Sequence, residues 1–282
     1  ISLTGIGPMT GGRTAALSCS RREHAQPPPT TSMSVRPRPS SRSVDTANAA
    51  ALEVYLLGLV EFDSALALQE RLIYEISGRD DRQGVLLLCE HPPLVTLGRE
   101  ASAAHVLADP DDLRSAEIEV RWISRGGGAI AHAPGQLAVY PILPLQRLGL
   151  GLSDYRERLE ESLVAVCHDQ HVPARRRASV PGVWSRGGRV GFVGAAVKSW
   201  TSYLGAYLNV DQHPSFLGLA SSDPDRELST SLQAQRLQRI SMSAARESTL
   251  RHVARRFGYS RHHVYGGHPL LKSRTERVCL HA

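Results

Sequence analysis

The sequence predicts one α+β domain, a mixed β-sheet flanked by helices, within a chain of 282 residues. Three observations carry that reading. Strand-sized apolar runs outnumber helical stripes, tight hairpin signals mix with longer crossovers, and no segment repeats along the chain. The domain is expected over 51–270. A disordered Arg/Ser/Pro-rich tail is expected over 1–48 and a second tail over 271–282.

Leu52 to Val60 reads as a strand. From Asp63 to Ile76, Leu66, Leu68, Leu72, Ile73 and Ile76 form a helical stripe that Gly78 stops. The unbroken apolarity of Val85 to Cys89 marks a strand buried on both faces, ended by Glu90-His91-Pro92-Pro93. Val120 to Ile123 is a short strand feeding glycines 126–128. Asp154 to Val166 sets Leu159, Leu163 and Val166 on one helical face with charges opposite. Gly182 to Trp184 and Val190 to Val197 bracket Arg186-Gly187-Gly188-Arg189, a hairpin signal. Leu204 to Val210 adds a strand, and a helix from Ser243 to Phe257 ends at Gly258.

The 33 basic residues exceed the 27 acidic ones, a formal net charge of +6. Residues 1–50 hold six arginines against Glu23 and Asp45, so the excess sits largely in the tail. The nearly neutral body argues against nucleic acid as a partner. The tail lacks apolar periodicity and cannot offset its chain entropy by burial. Organelle transit peptides share its Arg-rich, acid-poor make-up, and a plain tail is the simpler expectation. No apolar run approaches the roughly 18–20 residues of a bilayer span, so no membrane partner is expected. Cys19, Cys89, Cys167 and Cys279 are too scattered for a disulfide framework or a zinc site, which points to a reducing cytoplasm. Cys89 and Cys167 read as inert core thiols. His262-His263 with His268 makes no metal site, and neither metal nor cofactor is expected. Arg175-Arg176-Arg177 and the tract from Arg255-Arg256 to His262-His263 read as solvated faces or a docking surface for an acidic partner.

Two stretches carry chemistry. In Arg125-Gly126-Gly127-Gly128, the glycines let the backbone approach a ligand, and an arginine at the mouth could pair with a carboxylate or phosphate. No Gly-Lys-Ser/Thr follows, so this is not a Walker loop. His91-Pro92-Pro93 through Thr96, Gly98 and Arg99 reads as a rigid turn at a strand end. With His132, Pro134-Gly135-Gln136, Tyr140-Pro141-Ile142, Pro181-Gly182-Val183-Trp184, Gly194, Gly205, Leu208-Asn209 and Thr230-Ser231-Leu232, the order and spacing resemble the lipoyl/octanoyl transferase family from about residue 53 to 258.

That resemblance implies the fold of biotin and lipoate protein ligase catalytic domains. It also implies transfer of an octanoyl group from octanoyl-acyl carrier protein to a lysine of lipoyl domains, those of 2-oxoacid dehydrogenase complexes and the glycine cleavage H protein, by a monomer. Arg125, Gly126, Gly127, Gly128, Ala129, Ile130, Ala131 and His132 would line the acyl site, with Phe192, Val193, Gly194, Gly205, Ala206 and Tyr207 closing it. The family takes the acyl group on a cysteine activated by a lysine. Counting from Gly194 puts Arg189 at the lysine position. Counting from Phe216 and from Thr230 puts Ser222 at the cysteine position. Lys198 and Lys272 are the only lysines, and an odd strand separation from Arg189 turns Lys198 to the opposite face. A guanidinium keeps the positive charge but shuttles no proton, and a serine needs a base, for which His132 is the family-matched candidate. The competing expectation is a paralogue that binds acyl chain, carrier protein or lipoyl domain without turnover.

Overall fold

The computed structural model describes residues 50–178, 180–221, 228–236 and 238–271. The tails expected over 1–48 and 271–282 lie outside these, apart from Leu271.

β2 (Gly84–Glu90) shows why its sequence is apolar without a break. Its alternate residues enter two different cores. Leu86 and Leu88 join Leu52, Val54, Leu137 and Val139 beneath α4 (Leu152–Asp169) and α6 (Met242–Arg256). Val85, Leu87 and Cys89 face the stripe Leu68, Leu72, Ile73 and Ile76 of α1 (Phe62–Ser77). Each of those four side chains contributes about 2 kcal/mol on burial. Helices therefore cover both faces of the main sheet.

That sheet runs β11-β1-β2-β6-β10-β9-β8-β7. Its remaining strands are β1 (Ala51–Leu59), β6 (Gln136–Ile142), β7 (Ala174–Arg175), β8 (Val183–Ser185), β9 (Gly188–Lys198), β10 (Thr201–Asn209) and β11 (Arg261–Gly266). β11, β1 and β2 are parallel; from β2 onward neighbours are antiparallel, so the sheet is mixed. A three-stranded sheet, β4-β3-β5, stands apart, with β3 (Leu94–Leu97) parallel to β4 (Glu119–Trp122) and antiparallel to β5 (Ala129–His132). Short helices α2 (Pro110–Ser115), α3 (Leu145–Leu148) and α5 (Pro214–Leu217) fill connections. No helix among the described residues is long and apolar enough to cross a membrane.

The expected elements are present within a few residues of their expected ends, and five strands, β3, β5, β6, β7 and β11, are new. β3 and β5 are paired strands where a rigid turn and the end of a glycine loop were expected. β11 has all six residues exposed, so no apolar alternation marked it; its partner β1 holds it in parallel register. β6 contains Pro141, which cannot donate to a ladder. There the Ser202 hydroxyl stands in, donating to Pro141 O at 2.7 Å and accepting from Leu143 N at 3.0 Å.

Opposite Pro141, β10 twists through Leu204 at φ 53° and Gly205 at φ 154°. Gln69, set in the apolar stripe of α1, accepts from Leu204 N at 2.7 Å and satisfies the amide that the twist displaces. A Cβ on Gly205 would sit 2.4 Å from Val139 O and 2.8 Å from Pro141 Cδ. The twist delivers Ala206, Tyr207 and Leu208 back into register with β6. Gly205→Ala is therefore expected to cost about 3 kcal/mol, read as a lowered denaturant midpoint. A shift below about 0.5 kcal/mol would show that the backbone relaxes around the methyl group.

Candidate functional site

The motif residues converge on a single buried line of hydrogen bonds. Arg125, fully buried, donates from Nη1 to Gly126 O at 3.0 Å and Gly128 O at 2.8 Å. Its Nη2 donates to Thr96 O and Thr96 Oγ1, both at 2.8 Å. The Thr96 hydroxyl, accepting from Arg125, donates to His132 Nε2 at 2.8 Å. His132 Nδ1–H then donates to Gln136 Oε1 at 2.7 Å. Gln136 Nε2 donates to Asn209 Oδ1 at 2.9 Å and to Ala131 O at 3.0 Å, and Asn209 Nδ2 to Thr230 O at 3.0 Å. Each link fixes the donor sense of the next, so His132 is the neutral Nδ1–H tautomer.

Two expectations change here. Arg125 does not stand at a mouth: its guanidinium is spent on the loop's own carbonyls and on Thr96, bracing β3 against β5. Burial pulls its pKa down to about 10, so it stays charged at neutral pH. His132 offers no free lone pair as a base, because both nitrogens are engaged. Burial, then His91 and Arg125, hold its pKa well below the usual 6.5.

His91 makes a second buried pairing. Its Nδ1–H donates to Val60 O at 2.7 Å and Nε2 accepts from the Tyr140 hydroxyl at 2.7 Å. Burial lowers its pKa to about 4. Tyr140 and Tyr207 are driven upward by desolvation and stay protonated. The Tyr207 ring lies 4.6 Å from that of His132.

The structure brings most of the family-implied acyl-site residues together. Gly205, Ala206 and Tyr207 pair in register with Gly194, Val193 and Phe192. The glycine loop crosses β9 at this point, with Gly126 N donating to Ala195 O at 3.1 Å. A Cβ on Gly194 would meet Arg125 Cδ at 2.8 Å, so only glycine admits the loop. Strand alternation divides the set, however. Ile130, Phe192 and Tyr207 face the α1 core, Val193 and Ala206 the α4 core, and Ala129 and Ala131 pack with Ala220.

Arg189 is buried, its guanidinium 4.6 Å over the Phe192 ring and 5.0 Å over Trp184, and Nη2 donates to Pro181 O. Arg189 N donates to Leu228 O and its carbonyl accepts from Thr230 N, both at 2.9 Å. Ser222 lies outside the described residues. Its described neighbour Ser221 is held by donation from its N to His105 O at 2.9 Å. Lys198 sits at the exposed end of β9. Cys89 and Cys167 are buried, and desolvation raises both thiols, Cys167 to about 12. Among the described residues no group of three or more His, Cys, Asp or Glu is arranged to hold a metal.

Thr96, Gln136, Asn209 and Thr230 carry the motif spacing, yet spacing alone assigns them no role. Gln69 carries a local signal, a polar residue buried at an apolar-stripe position of α1. Trp184, stacked against both Arg189 and Arg177, had none beyond its place in Pro-Gly-Val-Trp.

The mixed sheet with helices on both faces and the glycine loop across β9 define an α+β domain of the lipoate-protein ligase fold. The family model for the lipoyl protein ligase A/B catalytic domain matches residues 62–257, and the chain belongs to that family. An octanoyltransferase of Syntrophobacter fumaroxidans is 38% identical over 163 residues, covering 58% of this chain and 71% of the relative. One from Gloeobacter violaceus is 41% identical over 154 residues, covering 55% and 67%. In solved structures the fold matches a lipoate-protein ligase A bound with ATP, with TM-score 0.63, 15% identity and coverage of 77% of this chain and 90% of that one. A putative lipoate protein ligase of Thermoplasma acidophilum with bound lipoic acid gives TM-score 0.60 at 14% identity, over 77% and 90%.

The two buried imidazoles make stability depend on pH. Above about pH 7.5, a unit over the unfolded value, both are essentially neutral folded or unfolded and contribute no pH dependence. As pH falls toward 4, the unfolded chain gains protons that the folded chain refuses, so stability drops. His91 alone accounts for roughly 3 kcal/mol by pH 4. Denaturant midpoints should fall from pH 7 to pH 4, and less steeply in His91→Asn and in His132→Gln. A slope unchanged in both variants would mean that other groups set it.

Proposed function

We propose that this chain serves protein lipoylation as an octanoyltransferase. It would take the octanoyl group of octanoyl-acyl carrier protein to a lysine of lipoyl domains, such as those of 2-oxoacid dehydrogenase complexes and the glycine cleavage H protein. One observation carries the reading: over more than half of its length the chain is 38% and 41% identical to two octanoyltransferases. Six motif residues spread from Thr96 to Thr230 form one buried hydrogen-bonded line beside the glycine loop. In this reading Gly126–Gly128, Ile130, His132, Phe192, Gly194, Gly205 and Tyr207 surround the acyl chain.

Ser222 and Arg189 are proposed to occupy the positions of the family's cysteine and lysine. Transfer through Ser222 requires its oxygen to attack the carrier thioester and its proton to leave with a base. The thiol of the carrier then departs, and the lysine amine of the lipoyl domain displaces the serine ester as an amide. Arg189 supplies a permanent positive charge beside this step but keeps its protons.

A second reading is favoured by the seat of Arg189 and the state of His132: binding of acyl chain, carrier or lipoyl domain without turnover. The guanidinium is stacked on two rings and bonded to a carbonyl, and the one family-matched base has both nitrogens engaged.

Incubation with octanoyl-acyl carrier protein followed by intact-mass measurement separates the readings. Transfer predicts an octanoyl adduct that is absent in Ser222→Ala and resists neutral hydroxylamine. Binding without turnover predicts no adduct, measurable carrier binding, and an adduct restored in Ser222→Cys/Arg189→Lys. Loss of the adduct on hydroxylamine would move the reaction to a cysteine thioester. Neither adduct nor binding in parent and double variant would sink both readings.

A further inference from the structure

α4 carries a carboxylate among its buried residues. Glu160 follows Leu159 there and is 1% exposed. A buried charge is costly unless it is paired and hydrogen-bonded. Arg176 Nε donates to Glu160 Oε2 at 2.9 Å, and Arg156 Nε stands 3.8 Å from Oε1. Arg176 also has a more exposed partner in Glu157 at 2.6 Å, so its own pairing does not account for a carboxylate inside the domain. The other oxygen does. Glu160 Oε1 accepts from Gly182 N at 3.0 Å. Pro181 O, the carbonyl of that same peptide group, accepts from Arg189 Nη2. A single peptide unit thus lies between an anion and a cation and is bonded to both. Each bond polarises the peptide in the direction that strengthens the other. The turn also lies directly against the guanidinium. Gly182 has φ 144°, and a Cβ there would sit 2.9 Å from Arg189 Nε and 3.0 Å from Nη2.

We propose that Glu160 is a positioning residue for Arg189, a counter-ion that acts through the Pro181–Gly182 peptide and holds the guanidinium in place. The rings of Phe192 and Trp184 confine the guanidinium by their faces, and the bridged carboxylate fixes it along the direction of Nη2. The helix therefore sets where the charge stands, although it contributes no group that touches it. The part this charge plays in acyl transfer rests on the octanoyltransferase reading above; the seat of the guanidinium does not. Under that reading, a cation held in advance stabilises the oxyanion of thioester attack without having to reorganise. A cation free to swing would lose that advantage.

The test uses the full chain with Glu160→Ala, Glu160→Gln and Arg176→Lys. Solvent exchange of the Arg189 Nε–H proton is followed in proton–nitrogen correlation spectra, the signal being assigned by its absence in Arg189→Gln. Glu160→Ala should speed that exchange about tenfold or more. Glu160→Gln keeps an acceptor for Gly182 N but loses the charge, so its increase should be smaller and still present. Arg176→Lys keeps a cation beside Oε2 and should leave the exchange unchanged, even if the denaturant midpoint falls. With octanoyl-carrier protein, Glu160→Gln should lower the maximal rate of adduct formation about tenfold, while the half-saturating carrier concentration stays the same. If Glu160→Ala fails to fold, Glu160→Gln carries the comparison. Unaltered exchange in the folded Glu160 variants would overturn the proposal. An equal rise in Arg176→Lys would reduce Glu160 to a stabilising ion pair and overturn it as well. A parent that forms no adduct, with exchange changed as expected, would overturn the transfer reading and leave the positioning of Arg189 standing. Altered exchange with an undiminished adduct rate would sustain the seat and overturn its part in transfer.

Discussion

Every polar group on the line from Arg125 to Thr230 is buried, and a buried polar group left unpaired costs about 1–3 kcal/mol. That constraint organises the rest of the site. Thr96 is the pivot: it accepts from Arg125 with the same oxygen that donates to His132. Replacing any member by an apolar residue strands its neighbours on both sides. The four-residue interval from His132 to Gln136 exists because the chain must turn at Pro134-Gly135 and return beside β10, where Asn209 waits. The motif spacing is thus a record of hydrogen-bond reach across four strands and two loops.

The same line explains what was legible in the sequence and what was not. α1, β2, α4 and α6 announce themselves because each repeats one burial pattern over two or more turns or a whole strand. β6 and β11 do not, for opposite physical reasons. In β6 a proline interrupts the ladder and a side chain on the adjacent strand repairs it, a tertiary compensation with no local trace. In β11 every residue is exposed, Val264 and Tyr265 included, and only pairing with β1 makes a strand of them. For the site, order and spacing located the right segments, but side-chain direction was invisible. Arg125 looks like an anion binder in sequence and is a brace in space, because its donors reach the loop's own carbonyls first.

Lysine and arginine differ least at a surface and most where a proton must move. At position 189 the surroundings suit the larger group. Phe192 and Trp184 present ring faces to the planar guanidinium, and Pro181 offers a carbonyl in its plane. An ammonium would gain less from those rings and would carry a pKa that burial could lower toward useful values. The local structure therefore favours a fixed charge over a titrating one.

The polar line and the Arg189 guanidinium are distinct sets of groups. No side chain of the line belongs to Arg189, whose backbone carbonyl accepts from Thr230 N. The paired donors and acceptors from Thr96 to Thr230 include none from the Arg189 side chain. Burial of Thr96, Arg125, His132, Gln136, Asn209 and Thr230 makes their hydrogen bonds a requirement of folding and of the shape of the glycine loop. That requirement holds whether or not an acyl group is transferred, so the motifs that identify the family report a framework rather than a reaction.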